Sequence, residues 1–218
     1  MRGCFVTFEG TDGSGKTTQI ALLYTFLQEM GHDVILTREP GGTHISDAIR
    51  SLLLSPEHGE MEQETEVLLY AASRAQHVRE KIMPALANGT IVLCDRYVDA
   101  SMAYQGYGLG LPLAEVAHIN RFATGGLTPD LTYFLEVPAE VSRERLQQRF
   151  SQQEGPDRIE SKPAAYHERV RQGFAEICRE HTDRIVTVDA VRDIDSVQKE
   201  LRQHFLHYLA QRKQPADS

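Results

Sequence analysis

The sequence predicts an α/β chain built on a five-stranded parallel sheet flanked by helices, and three observations lead there. Five short apolar, β-branched runs recur along the 218 residues, with segments of helical spacing between them. That alternation is what parallel strands joined by crossover helices require. Glycines punctuate the ends of helical segments, at Gly31, Gly59, Gly89, Gly125 and Gly126. The first apolar run, finally, leads through a glycine-rich turn straight into a helix, the order in which a sheet presents a loop to an anion.

Taken in order, the first strand is expected over residues 4–9 (CFVTFE), followed by a helix over 16–30. A second strand at 33–38 (DVILTR) precedes helical segments at 44–54 and 62–87. The third, at 90–95 (TIVLCD), is followed by helical spacing over 112–123, and the fourth, at 131–137 (LTYFLEV), by a helix over 138–149. Polar residues then interrupt the pattern at 149–161 (RFSQQEGPDRIES) before it resumes at 162–181. The fifth strand is expected at 184–190 (RIVTVDA) and the last helix at 193–212, with QRKQPADS at the end expected to fray. No internal repeat or linker breaks the chain. Residues 1–218 are therefore expected to form one domain, with a small mobile lid insert at about 149–161.

Composition narrows the partners. Apolar residues make up 41% and charged residues 25%, ordinary globular values. The formal charge of −8 disfavours non-specific attraction to nucleic acid or to an anionic membrane, so a bound anion must be met by a local cluster. Cys4, Cys94 and Cys178 lie far apart with no CxxC pair, which argues against a disulfide framework or a zinc site and fits a reducing cytosol. No apolar run approaches the ~20 residues needed to span a bilayer. The expected location is the cytoplasm.

The glycine-rich turn carries the first chemistry. Gly10-Thr11-Asp12-Gly13-Ser14-Gly15-Lys16-Thr17, followed by Thr18, satisfies GxxxxGK[ST] between a strand and a helix. In that setting glycine backbone N–H groups wrap phosphate oxygens and Lys16 bridges the outer phosphates, so these residues are the expected ATP-binding loop. The Thr17 hydroxyl is placed to ligate Mg²⁺ at the helix start. Asp95, at the end of the third apolar run, supplies an acidic partner for the same ion.

A phosphate loop serves hydrolases, switches and kinases alike. No NKxD-type stretch for reading guanine is present. Arginines stand instead where anions need partners: Arg96 directly after Asp95, Arg50 after REPGGT, and Arg143, Arg145, Arg149 and Arg158 leading into and through the polar insert. A loop of that composition can close over phosphates and stabilise a transferring phosphoryl group.

The stretches TREPGGT (37–43), LLYAASRAQH (68–77), DRY (95–97), SMAYQG (101–106) and DRIE (157–160) resemble the bacterial thymidylate kinases, in order and at matching spacing from the phosphate loop to about residue 190. The resemblance implies a nucleoside-monophosphate-kinase-like sandwich, usually dimeric, that converts ATP and dTMP to ADP and dTDP with Mg²⁺, a step towards dTTP. It implies that Arg74 and Gln105 bond the thymine edge with Ser101 nearby, and that Tyr70 stacks on the base where the family commonly has phenylalanine. Positions 70 and 74, one helical turn apart, face the same way, as such a pocket requires. By the same resemblance Tyr104 crowds the sugar 2′ position, Asp12 accepts the 3′-hydroxyl, and Arg96 with Arg50 and Glu39 orients the acceptor phosphate. The segment 188–190 lies beside the donor adenine.

Besides Tyr70, two departures qualify it. The phosphate loop has no arginine, unlike the eukaryotic branch, so the transition-state charge is expected from the lid, through Arg149 and Arg158, together with Lys16 and Arg96. Glu136 stands where the family usually has aspartate. A kinase for another nucleoside monophosphate, separated by a substrate panel, and a regulatory module without transfer activity, separated by ADP release with and without dTMP, are the alternatives.

Overall fold

The computed structural model describes residues 3–151 and 155–213. Five strands form, each within one residue of its expected limits: β1 (Cys4–Glu9), β2 (Val34–Arg38), β3 (Ile91–Asp95), β4 (Leu131–Glu136) and β5 (Ile185–Asp189). All pair in parallel, in the order β2-β3-β1-β4-β5. Every residue of β1 is buried, which is why its run is apolar without alternation. Since β1 lies between β3 and β4, the connections diverge at its carboxyl end, and such a switch point opens a crevice. Phe8 of β1 and Arg38 of β2 both register with Asp95 of β3, so the phosphate loop, Glu39 and Asp95 emerge at one edge.

The helices are α1 (Lys16–Glu29), α2 (His44–Leu54), α3 (Gln63–His77), α4 (Met83–Ala87), α5 (Val98–Ser101), α6 (Leu113–Thr124), α7 (Ala139–Phe150), α8 (Ala164–Glu180) and α9 (Ile194–Lys213). On one sheet face Ile20, Leu23 and Leu27 of α1 meet Val197, Leu201 and Phe205 of α9 over Val6 and Phe8. On the other, Val78, Ile82 and Leu86 cover Phe5 and Val92, while Phe174 and Ile177 of α8 cover Phe134 and Ile185.

Two expectations are corrected. The segment 62–87 is not one regular helix: α3 and α4 are joined by π-type turns over Val78–Ile82. Pro84 has no N–H to give and would clash with the carbonyl four residues back, and the wider turn just before it accommodates both. A helix absent from the sequence expectation runs from α5 through π-type turns over Met102–Gly108. It forms because α8 packs along it: a Cβ on Gly173 would meet the Tyr107 ring at 2.7 Å, so the two elements touch backbone to side chain. Helix α9 ends at Lys213, one residue past its expected limit, and residues 214–218 of the tail expected to fray lie outside the described residues. So do residues 152–154 of the expected lid insert.

Candidate active site

The phosphate loop follows β1 on a left-handed path. Gly10 stands at φ 143° and Gly13 at φ 78°, and a Cβ there would lie 2.7 Å from Leu135 O and 2.6 Å from Ser142 O. Only glycine fits both the dihedrals and the space. Helix α7 braces the loop from outside, with Ser142 Oγ donating to Asp12 O at 2.6 Å and Arg145 donating to Gly13 O at 3.3 Å. Gly15 ends the loop and Lys16 opens α1. Lys16 Nζ reaches back to Gly10 O (3.0 Å), Thr11 O (2.8 Å) and Ser14 Oγ (3.3 Å). Burial lowers its pKa to about 8, with Arg96 adding repulsion and Asp95 and Asp12 opposing it.

Thr17 Oγ1 donates to Asp95 Oδ2 at 2.9 Å. Two hard oxygen ligands thus stand together at the helix start, next to the loop that would carry phosphates, which fits a magnesium ion completed by phosphate and water oxygens. Among the described residues no group of three or more His, Cys, Asp or Glu side chains could hold a metal alone.

Every residue expected around the acceptor lines a single cleft: Asp12, Glu39, Arg50, Tyr70, Arg74, Arg96, Ser101, Tyr104 and Gln105. Its far end is built on Arg74, which is 2% exposed. Arg74 Nε donates to Glu39 Oε2 at 2.7 Å, Nη1 to Ser101 Oγ at 3.0 Å and to Asn120 Oδ1, and Nη2 to Tyr97 O at 3.1 Å. Glu39 also meets His77 Nδ1 at 3.0 Å, and His77 Nε2 in turn meets Thr37 Oγ1 at 2.7 Å. The guanidinium is therefore held rigid before anything binds. Tyr70 sits one turn earlier on α3, where burial, Glu66 and Asp157 hold its phenol well above the ordinary tyrosine range. Arg50 donates to Pro40 O at 2.9 Å, and burial with Arg38 nearby pulls its pKa down, so it enters the cleft as an incompletely compensated cation.

The near end belongs to Arg96. Its backbone is left-handed, φ 71°, the one such non-glycine position among the described residues. Three contacts hold it there: Arg96 N donates to Phe8 O (3.0 Å), Tyr97 N to Glu9 Oε1 (2.7 Å), and Cys94 Sγ to Arg96 O (3.1 Å). The side chain reaches Gly10 O at 3.0 Å, Asp12 Oδ1 at 2.6 Å and Tyr104 Oη at 3.2 Å, and lies over the Tyr104 ring. Burial would raise the Asp12 pKa, but Arg96 and Lys16 outweigh it and hold the carboxyl well below the usual range.

A second cleft opens on the other side of the phosphate loop, lined by Ser14, Gly15, Thr18, Arg145 and residues 190–194. Arg145 Nη2 donates to Ala190 O at 3.0 Å, tying α7 to the end of β5. Glu136 ends β4 with its side chain exposed, and its carbonyl accepts from Ala190 N at 2.9 Å.

The arginines of the insert are paired. Arg149 meets Glu160 and lies over the Phe150 ring. Arg158 is buried, with Nε donating to Leu53 O at 2.7 Å and Nη1 to Glu66 Oε2 at 2.9 Å. Its neighbours Asp157, Ile159 and Glu160 line the acceptor cleft.

Sequence reasoning did not single out Glu66, Asn120, His77 or Glu9, and it named Arg145 only as one of the arginines leading into the insert, not as a brace of the phosphate loop. Glu66, Tyr70 and Arg74 recur every four residues, and that stripe was the available signal for Glu66. Asn120 carried no signal, because it is brought in by tertiary packing.

A family model described as thymidylate kinase matches residues 8–201. The chain is 50% identical to a thymidylate kinase of Exiguobacterium sibiricum over 213 residues, 98% of this chain and 99% of that protein. It is 47% identical to one from a Geobacillus species over 197 residues, 90% of this chain and 93% of that one. A crystal structure of thymidylate kinase from Ehrlichia chaffeensis superposes with a TM-score of 0.76 at 32% identity, covering 94% of this chain and 99% of that chain.

Proposed function

Since this chain belongs to the thymidylate kinase family and phosphorylates dTMP to dTDP with ATP, we propose that its two clefts divide those substrates and meet at Arg96. The donor triphosphate lies along residues 10–18, with its base in the cleft beside Arg145 and Ala190. The acceptor lies in the other cleft, its base at Arg74, Gln105, Ser101 and Tyr70, its sugar at Tyr104 and Asp12, and its phosphate at Arg96 and Arg50, while Glu39, expected at the phosphate, instead meets Arg74 and His77 with its two oxygens and so braces the base end. The observation that carries this reading is the reach of Arg96 into both halves: one nitrogen bonds the phosphate-loop carbonyl of Gly10, the other Asp12 and Tyr104.

The chemistry follows from that placement. An acceptor phosphate oxygen attacks the γ-phosphorus in line, the bond to the β-phosphate oxygen breaks, and ADP departs. The attacking oxygen is already anionic, so no general base is needed and no covalent enzyme intermediate forms. Lys16 and Arg96 hold the reacting phosphates together against their mutual repulsion. Thr17 and Asp95 would hold Mg²⁺, which when bound neutralises phosphate charge. The remaining charge is assigned to Arg149 and Arg158. Either must exchange its carboxylate partner, Glu160 or Glu66, to reach the transferring group.

The neighbouring helices α2, α3 and α6 expose Leu52, Leu68 and Phe122, the last 86% exposed, and a second copy of the chain covering them is the proposed homodimer. Light scattering that gives the mass of one chain at micromolar concentration contradicts it. A cytoplasmic location agrees with three free cysteines and with the lack, among the described residues, of a helix long and apolar enough to cross a membrane. One domain over 1–218 is retained on the continuity of the sheet.

ADP release tests the whole assignment. It is expected to require both dTMP and Mg²⁺, to persist weakly with dUMP, and to fail with dCMP. Equal release with all three acceptors, or without any, contradicts the division of the clefts.

A further inference from the structure

The transfer chemistry uses Glu66 only as the resting partner of Arg158 and does not explain its contact with Gln105. Glu66 stands on α3 one turn before Tyr70 and two before Arg74, and it is 1% exposed. Its Oε1 accepts from Gln105 Nε2 at 3.1 Å, and its Oε2 accepts from Arg158 Nη1 at 2.9 Å and Lys162 Nζ at 3.3 Å. Both Glu66 oxygens thus face donors, an amide nitrogen on one and two cations on the other, and a carboxylate so placed acts only as an acceptor. A side-chain amide beside a pure acceptor must turn its nitrogen towards it. The Gln105 carbonyl oxygen, which accepts no hydrogen bond from the described residues, is thereby left as an acceptor at the cleft that Gln105 lines.

We propose that Glu66 is a specificity-setting positioning residue: by fixing the polarity of the Gln105 amide, it makes the acceptor cleft take a base that donates at N3 and refuse one that accepts there. This rests on the reading that the cleft holds the acceptor base. Arg74 completes the pattern. Its Nε and both Nη1 hydrogens are engaged, while Nη2 bonds only Tyr97 O, so one N–H remains. The edge therefore presents a donor beside an acceptor. Thymine offers O4 as acceptor and N3–H as donor, which pairs with both. Cytosine offers a 4-amino donor and an N3 acceptor, which opposes like with like at both.

The test is the ratio of kcat/KM for dTMP over dCMP in Glu66→Gln. Glutamine keeps the shape but can donate as well as accept, so the Gln105 amide is free to turn over. The ratio is expected to fall about tenfold or more, chiefly through KM, with the share due to Arg74 retained. An unchanged ratio in a folded variant overturns the proposal. Gln105→Leu separates this failure from that of the underlying reading. A ratio lost in Gln105→Leu but kept in Glu66→Gln refutes only the role of Glu66, whereas a ratio kept in both shows that the base is not read there.

A measurement on the unaltered chain covers the case in which Glu66→Gln does not fold. The Gln105 side-chain NH₂ protons, identified by nuclear magnetic resonance through their loss in Gln105→Leu, are expected to stay protected from exchange when dTMP saturates the protein. Loss of that protection on binding would show that the amide leaves Glu66, and would overturn the proposal.

Discussion

Arg96 bonds Asp12 at 2.6 Å from a left-handed backbone, so the cation at the meeting point of the two clefts is aimed by its main chain as well as by its partner. The planar fork serves Gly10 O with one nitrogen and Asp12 with the other, a fixed spacing that the single nitrogen of an ammonium does not reproduce. Arg96→Lys therefore keeps the charge and loses the geometry. Steady-state kinetics should show kcat lowered about 10²-fold, in the range for loss of one aimed donor. Near-normal turnover would mean that charge alone suffices there.

Tyr104 Oη donates to Asp12 Oδ2 at 2.9 Å, which sets the proposed 2′ and 3′ edges of the sugar side by side. Tyr104→Leu removes bulk while keeping an apolar group against Tyr166 and Phe174. Use of the ribonucleotide relative to dTMP should rise, read as the ratio of kcat/KM values. A constant ratio assigns the sugar preference elsewhere.

The two insert arginines should separate on mutation. Arg149→Ala removes the half-exposed partner of Glu160, whose other oxygen still accepts from Asp157 N, so the fold should be little affected while kcat drops, by about 10³-fold if it reaches the transferring phosphate. Arg158→Ala is expected to lower kcat as well, and in addition to destabilise the protein by about 3–5 kcal/mol, because it leaves Glu66 buried with only Lys162. Denaturant midpoints and kcat, measured on both variants, check the contrast. Normal turnover in both would move the catalytic charge to Arg96.

Stability should fall with rising pH through a group outside the transfer chemistry. Burial, reinforced by Asp99, raises the Glu9 pKa from 4.5 to about 8, and its Oε2 has no partner among the described residues. Between those values the folded chain holds a proton that the unfolded chain has lost. The contribution is thus complete below 4.5 and gone once pH passes about 8. Glu9→Gln should flatten the decline in urea midpoint between pH 5.5 and 8.5, and an unaltered slope would place the titrating group elsewhere.

The sheet was legible in the sequence because the central strands β1, β3 and β4 are buried on both faces and read as apolar runs, while the partly exposed edge strands β2 and β5 are marked by β-branched residues between turn signals. The phosphate loop was legible because its chemistry is local to eight residues. The helix carrying Ser101, Tyr104 and Gln105 was not. Gly106, Gly108 and Gly110 read as breakers, and the helix exists because α8 packs along it with wide turns absorbing the bulk of Tyr104 and Tyr107. The ion-pair partners of the site were hidden for a related reason: Glu66 and Arg158 lie 92 positions apart, and only the tertiary fold brings them together.

Equilibrium binding of dTMP and of a non-hydrolysable ATP analogue, measured on the unaltered chain, Arg74→Ala and Lys16→Ala, tests the division of the clefts most directly. Arg74→Ala should weaken dTMP strongly and leave the ATP analogue nearly unchanged, and Lys16→Ala should do the reverse. Equal loss of both ligands in either variant would contradict the account, because it would show one shared scaffold where two separate sites are claimed.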